Sequence, residues 1–384
     1  MTLNDVCELI VDCPHTTAPD EGKGYPLIRT PNIGRGRLLL DGVHRVSERV
    51  YRERVQRAIP QDGDLIFARE APAGNVALIV NGQKVCLGQR TVLIRPDQSL
   101  VDPAYLTYYL LSPQKQHDLL GTANGATVAH VNLPIIRKLP VSLPELDVQK
   151  RVSSILTAYD NLIENNQRQI MLLEEAAQRL YKEWFVDFRF PGYEYTQIID
   201  GVPEGWKKEY LTDLVDVQYG YAFDGALFTT THNGMPIIRI RNIPSGQTAD
   251  YTTEEAQDQY IVHNGDIVVG MDGEFHINTW GGNDSYLVQR TCSFRPKNEN
   301  MKGYILQAIV EPIKFFEKTV VGATVAHLGK KHIDTIKIFS CPDEMYRPFN
   351  AFLKKRQLLM NQNVSLIEAR DRLLPKLMSG EIEV

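Results

Sequence analysis

The sequence predicts a mixed α/β fold: two similar globular domains separated by two long antiparallel coiled-coil helices, related by a pseudo-two-fold. Three observations carry this. The chain repeats itself with a period of about 200 residues, each copy opens with short β-branched runs, and each closes with a long helical stretch. GATVAH occupies residues 125–130 and again 322–327, and QRT occupies 89–91 and 289–291, each time followed closely by Arg-Pro. PLIRTPNI at 26–33 is echoed by PIIRIRNI at 236–243, and Ile-x-x-x-Gly-Asp ends at Asp64 and at Asp266. Solenoid repeats run to roughly 20–50 residues, so a period this long makes each copy a whole domain.

The predicted organisation is a first globular domain at 1–145, a central helix at 146–190, a Gly- and Pro-containing linker at 191–205, a second globular domain at 206–342 and a C-terminal helix at 343–384. In the first copy, residues 25–33, 64–69, 75–80 and 85–96 read as strands, because apolar and β-branched residues are bounded there by Gly, Pro and Asp. Pro103 opens PAYLTYYLLS, a helix with proline at its start. The second copy offers strands at 235–243, 266–271 and 286–296, then a helix near 302–317.

No Gly or Pro interrupts residues 146–185. Leu156, Tyr159, Ile163, Asn166, Ile170, Leu173, Ala177 and Leu180 alternate at spacings of three and four, a heptad seam with Asn166 as its polar, register-fixing member. Its expected partner is the tail, where Phe352, Leu359, Leu366 and Leu373 fall at seven-residue steps, interrupted by Arg356, Asn363 and Arg370. The alternative is an amphipathic helix packed on its own domain.

Composition excludes several classes. A 43% hydrophobic, 23% charged chain argues against disorder, and no apolar run reaches the roughly 18 residues of a membrane span. The N-terminus has no basic leader region and the five cysteines show no ligand spacing, so a cytoplasmic protein with reduced thiols and no metal site is expected. The net charge of -5 is only permissive for nucleic acid, although eight arginines crowd residues 29–57. Catalytic signatures are missing: there is no phosphate loop, dinucleotide loop or HExxH. Beside His130 and His327 no acid or nucleophile recurs in sequence in both copies, so a structural or loop role is expected there and not catalysis. Arg29 and Arg239 end matched strands, as a salt bridge or as a phosphate contact; Gln89-Arg90 and Gln289-Arg290 either pair across a sheet or reach nucleic acid.

LYKEWFVDFRFPG at 180–192, RDRLLPKLMSGEIEV at 370–384 and QKRVSSILTAYDNLIENN at 149–166 resemble the specificity subunit of type I restriction–modification enzymes, and the resemblance extends over essentially the whole chain. It implies a non-catalytic subunit with two target recognition domains, each reading half of a split double-stranded DNA site. It also implies helices that set the spacer and dock two modification subunits, joined by motor-nuclease restriction subunits. No cofactor is expected on this chain; S-adenosylmethionine, ATP and Mg belong to the partners. Residues identical in both copies cannot distinguish two half-sites, so Arg29, Gln89, Arg90, Arg239, Gln289 and Arg290 are cast as scaffold or backbone contacts, and Arg241, which faces Pro31 in the repeat, is a further DNA-binding candidate. Base readout is expected in divergent loops, 34–57 against 244–258 and 69–75 against 271–284. There Arg35, Arg37 and Arg69 suit guanine, Asn75, Asn278 and Asn283 adenine, and Asp272 or Glu274 cytosine. Rival readings are a nuclease or methyltransferase on the same fold, and a protein-binding scaffold.

Overall fold

The computed structural model describes residues 1–121, 130–319 and 326–384. It divides into two compact units, Met1–Leu162 with Leu366–Val384, and Ile163–Ser365.

In the first unit a five-stranded sheet runs Cys7–Asp12, Thr91–Pro96, Leu65–Ala68, Val76–Leu78, Gly36–Arg37, antiparallel except for the last pair. Leu65, Ile66, Phe67 and Ala68 are wholly buried, as a central strand covered on both faces requires. A three-stranded sheet sets Tyr25–Ile28 between Arg45–Val46 and Cys86–Leu87, the latter parallel to it. Tyr105, Leu106 and Leu110 of the helix Pro103–Leu111 join the main core.

The second unit repeats the plan. Val215–Tyr219, Thr291–Pro296, Ile267–Gly270 and Ile277–Thr279 form an antiparallel sheet in the matching order, and Met235–Ile238 runs parallel to Ser285–Leu287. The outer strands Cys7–Asp12 and Val215–Tyr219 were not expected: each carries charge within its run, which hides the alternation. The stretch at 85–96 is not one strand but two, broken at 88–90, and 286–296 breaks at the matching point.

The central helix spans Leu146–Tyr181, 36 residues or about 54 Å; the C-terminal helix spans Arg347–Ser379. The two run antiparallel within each unit. In the first, Val152 and Leu156 share a core with Leu374 and Leu377, and Arg370 donates to the buried Asp160 at 2.7 Å. In the second, Asn166 Nδ2 donates to Asn363 Oδ1 at 3.0 Å and Arg356 Nε to Glu174 at 2.6 Å. Arg356, Asn363 and Arg370, expected to interrupt the seam, are therefore its inner polar row. Asp160 rather than Tyr159 takes the buried position, because a straight 3.6-residue helix drifts from a strict heptad. Leu156, Ile163, Asn166 and Leu359 are buried, whereas Ile170, Leu173, Leu180, Phe352, Leu366 and Leu373 are half-buried.

The residues that flank the predicted linker are core. Phe185, Phe190 and Trp206 sit together, with Phe190 and Trp206 centroids 4.6 Å apart, and Tyr304 and Phe349 complete the cluster. LYKEWFVDFRFPG is thus an aromatic plug that closes the second unit.

Candidate nucleic-acid interface

Each unit builds the same frame at the carboxyl ends of its parallel strand pair. Where Tyr25–Ile28 ends, Asn32 Oδ1 accepts from Arg29 N; where Met235–Ile238 ends, Asn242 Oδ1 accepts from Arg239 N. Asparagine imitates a backbone turn in this way, which explains the shared Arg-x-x-Asn. The facing turn is QRT. Thr91 Oγ1 donates to Gly88 O and Thr291 Oγ1 to Val288 O, so threonine closes both turns. Arg90 at φ 65 and Arg290 at φ 67 occupy the left-handed region, which costs a non-glycine residue about 1–2 kcal/mol. Their carbonyls accept from Arg69 N at 2.9 Å and Met271 N at 2.8 Å.

The two turns border a cleft in each unit. The first, about 280 Å³, is lined by Thr16, Arg29, Arg54, Gln89 and Arg90 among others. The second, about 440 Å³, is lined by Phe223, Phe228, Arg239, Gln289 and Arg290 among others. Arg29 Nε is buried with no hydrogen-bond partner among the described residues, while the Arg239 guanidinium lies 5.5 Å from the Phe228 ring centroid. Gly88 permits a tight approach, since a Cβ there would meet Ile28 O at 2.9 Å; with valine at the matching position the strand contact lengthens from 2.8 Å to 3.2 Å.

Behind each turn stands an acid that joins the arginine to the histidine of GATVAH. Glu70 bonds Arg90 Nε at 2.9 Å and His130 Nδ1; Asp272 bonds Arg290 Nη1 at 3.2 Å and His327 Nδ1 at 2.5 Å. The expectation that no acid accompanies these histidines in both copies is therefore corrected. A sequence signal existed: each acid stands two residues beyond its buried strand, after Ala68 and after Gly270. The remainder of GATVAH, 125–129 and 322–325, lies outside the described residues.

Several proposed base readers are otherwise engaged. Arg69 is nearly buried and spends its guanidinium on Val131 O, Asp12 and His130. Asn75 Nδ2 donates to Ile33 O. Asn278 is buried, donating to Ile243 O and Pro244 O and accepting from Arg356. Asp272, which was matched to cytosine, is committed to its arginine and histidine. Residues 271–284 are no simple loop, since they hold the strand Ile277–Thr279 and the fully buried Trp280. Arg37 reaches Asn161 on the central helix at 2.6 Å, and Arg35, exposed, donates to Leu111 O. Arg241 pairs with Asp250: burial pushes that carboxyl up, but the Arg241 hydrogen bond and charge, with Asn242 and the Arg239 charge, together hold the group below its ordinary value. Arg54 was missed as a site residue; buried, it binds the carbonyls of Pro14, Thr16 and Leu87 and shapes one wall of the first cleft. Among the described residues no cluster of His, Cys, Asp and Glu gathers that could hold a metal ion, and no helix is long and apolar enough to cross a membrane.

A family described as the type I restriction modification DNA specificity domain matches residues 1–175 and 203–344. The chain is 24% identical over 365 residues to the MjaIX specificity subunit of Methanocaldococcus jannaschii, spanning 89% of this chain and 83% of that one. It is 20% identical over 397 residues to the HindI specificity subunit of Haemophilus influenzae, spanning 83% and 86%. The crystal structure of the type I restriction–modification S subunit from M. genitalium shares the fold, with a TM-score of 0.57 at 14% identity over 98% of this chain and 95% of that chain. The chain thus belongs to the DNA specificity subunits of type I restriction–modification systems, parts of a complex assembled with other subunits.

Proposed function

We propose that each unit of this subunit reads one half of a bipartite double-stranded DNA site, and that it does so for partner subunits that carry the chemistry. The observation that carries the reading is the duplicated frame. Arg29, Gln89 and Arg90 border one cleft; Arg239, Gln289 and Arg290 border its counterpart. Arginine matches phosphate through its planar fork of donors, and contacts of that kind fix register without reading sequence. Choice of bases then falls to the divergent segments beside the frame, 34–57 in the first unit and 244–258 in the second. Two modification subunits, docked on the long helices, supply S-adenosylmethionine and methylate adenine N6. Restriction subunits supply ATP-driven, Mg-dependent translocation and cutting.

Helix length sets the unread spacer. Because the helices are paired, a change in length has to be made in both. Seven residues added after Asn165 and seven after Asn363 keep the Asn166–Asn363 and Asp160–Arg370 contacts. They lengthen the pair by about 10.5 Å, or roughly three base pairs. The test is genome-wide mapping of N6-methyladenine in cells expressing the chain with its modification subunit. The expected result is a split motif whose spacer grows by about three in the insertion variant while both halves stay the same. Changed halves at unchanged spacing would contradict this reading, as would no new methylation from a soluble, assembled complex.

A further inference from the structure

We infer that Arg90 and Arg290 are a matched pair of DNA-phosphate contacts, one in each unit, each aimed by a positioning carboxylate (Glu70, Asp272) that a histidine (His130, His327) holds in place. The inference rests on the DNA-reading function proposed above and deepens it, since it identifies acids that hold the contacting side chains.

Four observations converge. First, both arginines stand in the left-handed region, at φ 65 and φ 67. Glycine would occupy that backbone with less strain, so an arginine kept there in both copies is kept for its side chain. Second, both side chains line the matched clefts and are largely exposed, 60% and 68%, so each stays accessible beside its acid. Third, the tie survives a change of acid. The longer Glu70 meets Arg90 at Nε and the shorter Asp272 meets Arg290 at Nη1, at 2.9 Å and 3.2 Å. Fourth, each acid is itself held by a histidine Nδ1 and is mostly buried, 18% and 17% exposed, while the arginine it holds is not. An acid in that position fixes a long, otherwise rotatable side chain before DNA arrives, which lowers the ordering cost of the contact.

The acid offers a decisive sign. A carboxylate that merely stood near DNA would repel phosphate, and its neutral amide would bind DNA more tightly. A carboxylate that aims an arginine does the opposite when it is neutralised.

The experiment uses the assembled methyltransferase complex and a duplex carrying its mapped target, with affinity measured across a range of KCl concentrations. Arg90→Gln and Arg290→Gln each lower the log–log salt slope by about one, and the double variant by about two, while the methylated motif keeps its letters. Glu70→Gln and Asp272→Asn each weaken binding by about tenfold, the scale of a lost charge-assisted hydrogen bond. Glu70→Gln adds nothing further in the Arg90→Gln background. Arg90→Lys keeps the charge and hence the slope but loses affinity, and it serves if an amide variant fails to fold by thermal melting. Unchanged slopes, tighter binding by the amide variants, or altered motif letters would each overturn the inference. A wild-type complex that neither binds nor methylates a target would instead overturn the reading beneath it.

Discussion

The two clefts share a frame and differ in their walls. Both have arginine held by an Asn-capped turn, a Gln-Arg-Thr turn opposite, and a carboxylate behind it. Beyond that the first is polar and narrow, with the buried Arg54 bound to three carbonyls. The second is wider and aromatic, with Phe223 and Phe228 lining it and Arg239 over one ring. The helix anchors differ in the same manner. Arg370 meets Asp160, which is 5% exposed and also binds the Tyr108 hydroxyl; Arg356 meets Glu174, which is 40% exposed. Duplication has kept what positions a backbone and varied what surrounds it, the pattern expected of two readers of different sequences on one kind of polymer.

The comparison breaks first at the helix anchors. Arg370→Ala strands a buried carboxylate in the first unit and should cost about 3–5 kcal/mol in chemical denaturation. Arg356→Ala leaves a half-exposed acid without its arginine and takes one donor each from Asn278 Oδ1 and Thr279 Oγ1, which keep their bonds to Thr279 N and Gln357, and should cost about 1–3 kcal/mol. An equal loss would mean that the two anchors are equivalent. Next comes Arg54→Met, which orphans carbonyls in the first cleft at about 2 kcal/mol and has no counterpart to disturb in the second. Phe228→Ala removes the ring under Arg239 and should cost about 1 kcal/mol, read as a small fall in Tm.

The smallest effect is acid sensitivity. Asp250 has a folded pKa held below its unfolded value, so its contribution is full above pH about 4 and is lost as pH falls through the lower folded value. Arg241→Gln should flatten that acid limb of unfolding free energy against pH by less than about 1 kcal/mol, because Arg241 is largely exposed. An unchanged limb would assign the acid response elsewhere.

The repeat and the long helices were legible because identical words in one order and a glycine-free heptad stretch are local signals. Asn166 was legible as a polar seam member, but its partner Asn363 was not: a polar residue at a core position looks like an interruption until the facing helix supplies its hydrogen bond. The tie of Glu70 and Asp272 to the histidines escaped notice because the acids differ in identity and stand some 55–60 residues from their histidines, a link made only by folding. The partners of Arg69 and Asn278 were not legible for the converse reason. Their chemistry suits guanine and adenine, yet burial spends it on the protein's own carbonyls, carboxylates and side chains. The strand Ile277–Thr279 hid within a glycine-rich segment whose turns dominate its composition.

The central claim is that the shared frame binds while the divergent walls choose. The most direct test maps N6-methyladenine motifs for two variants of the complex side by side, Arg90→Gln and a chain whose residues 34–57 are replaced from a relative of different specificity. Arg90→Gln is expected to lower the extent of methylation with every motif letter retained, and the replacement to rewrite one half-site and leave the other intact. A motif letter changed by Arg90→Gln, or both halves intact after the replacement, would contradict it.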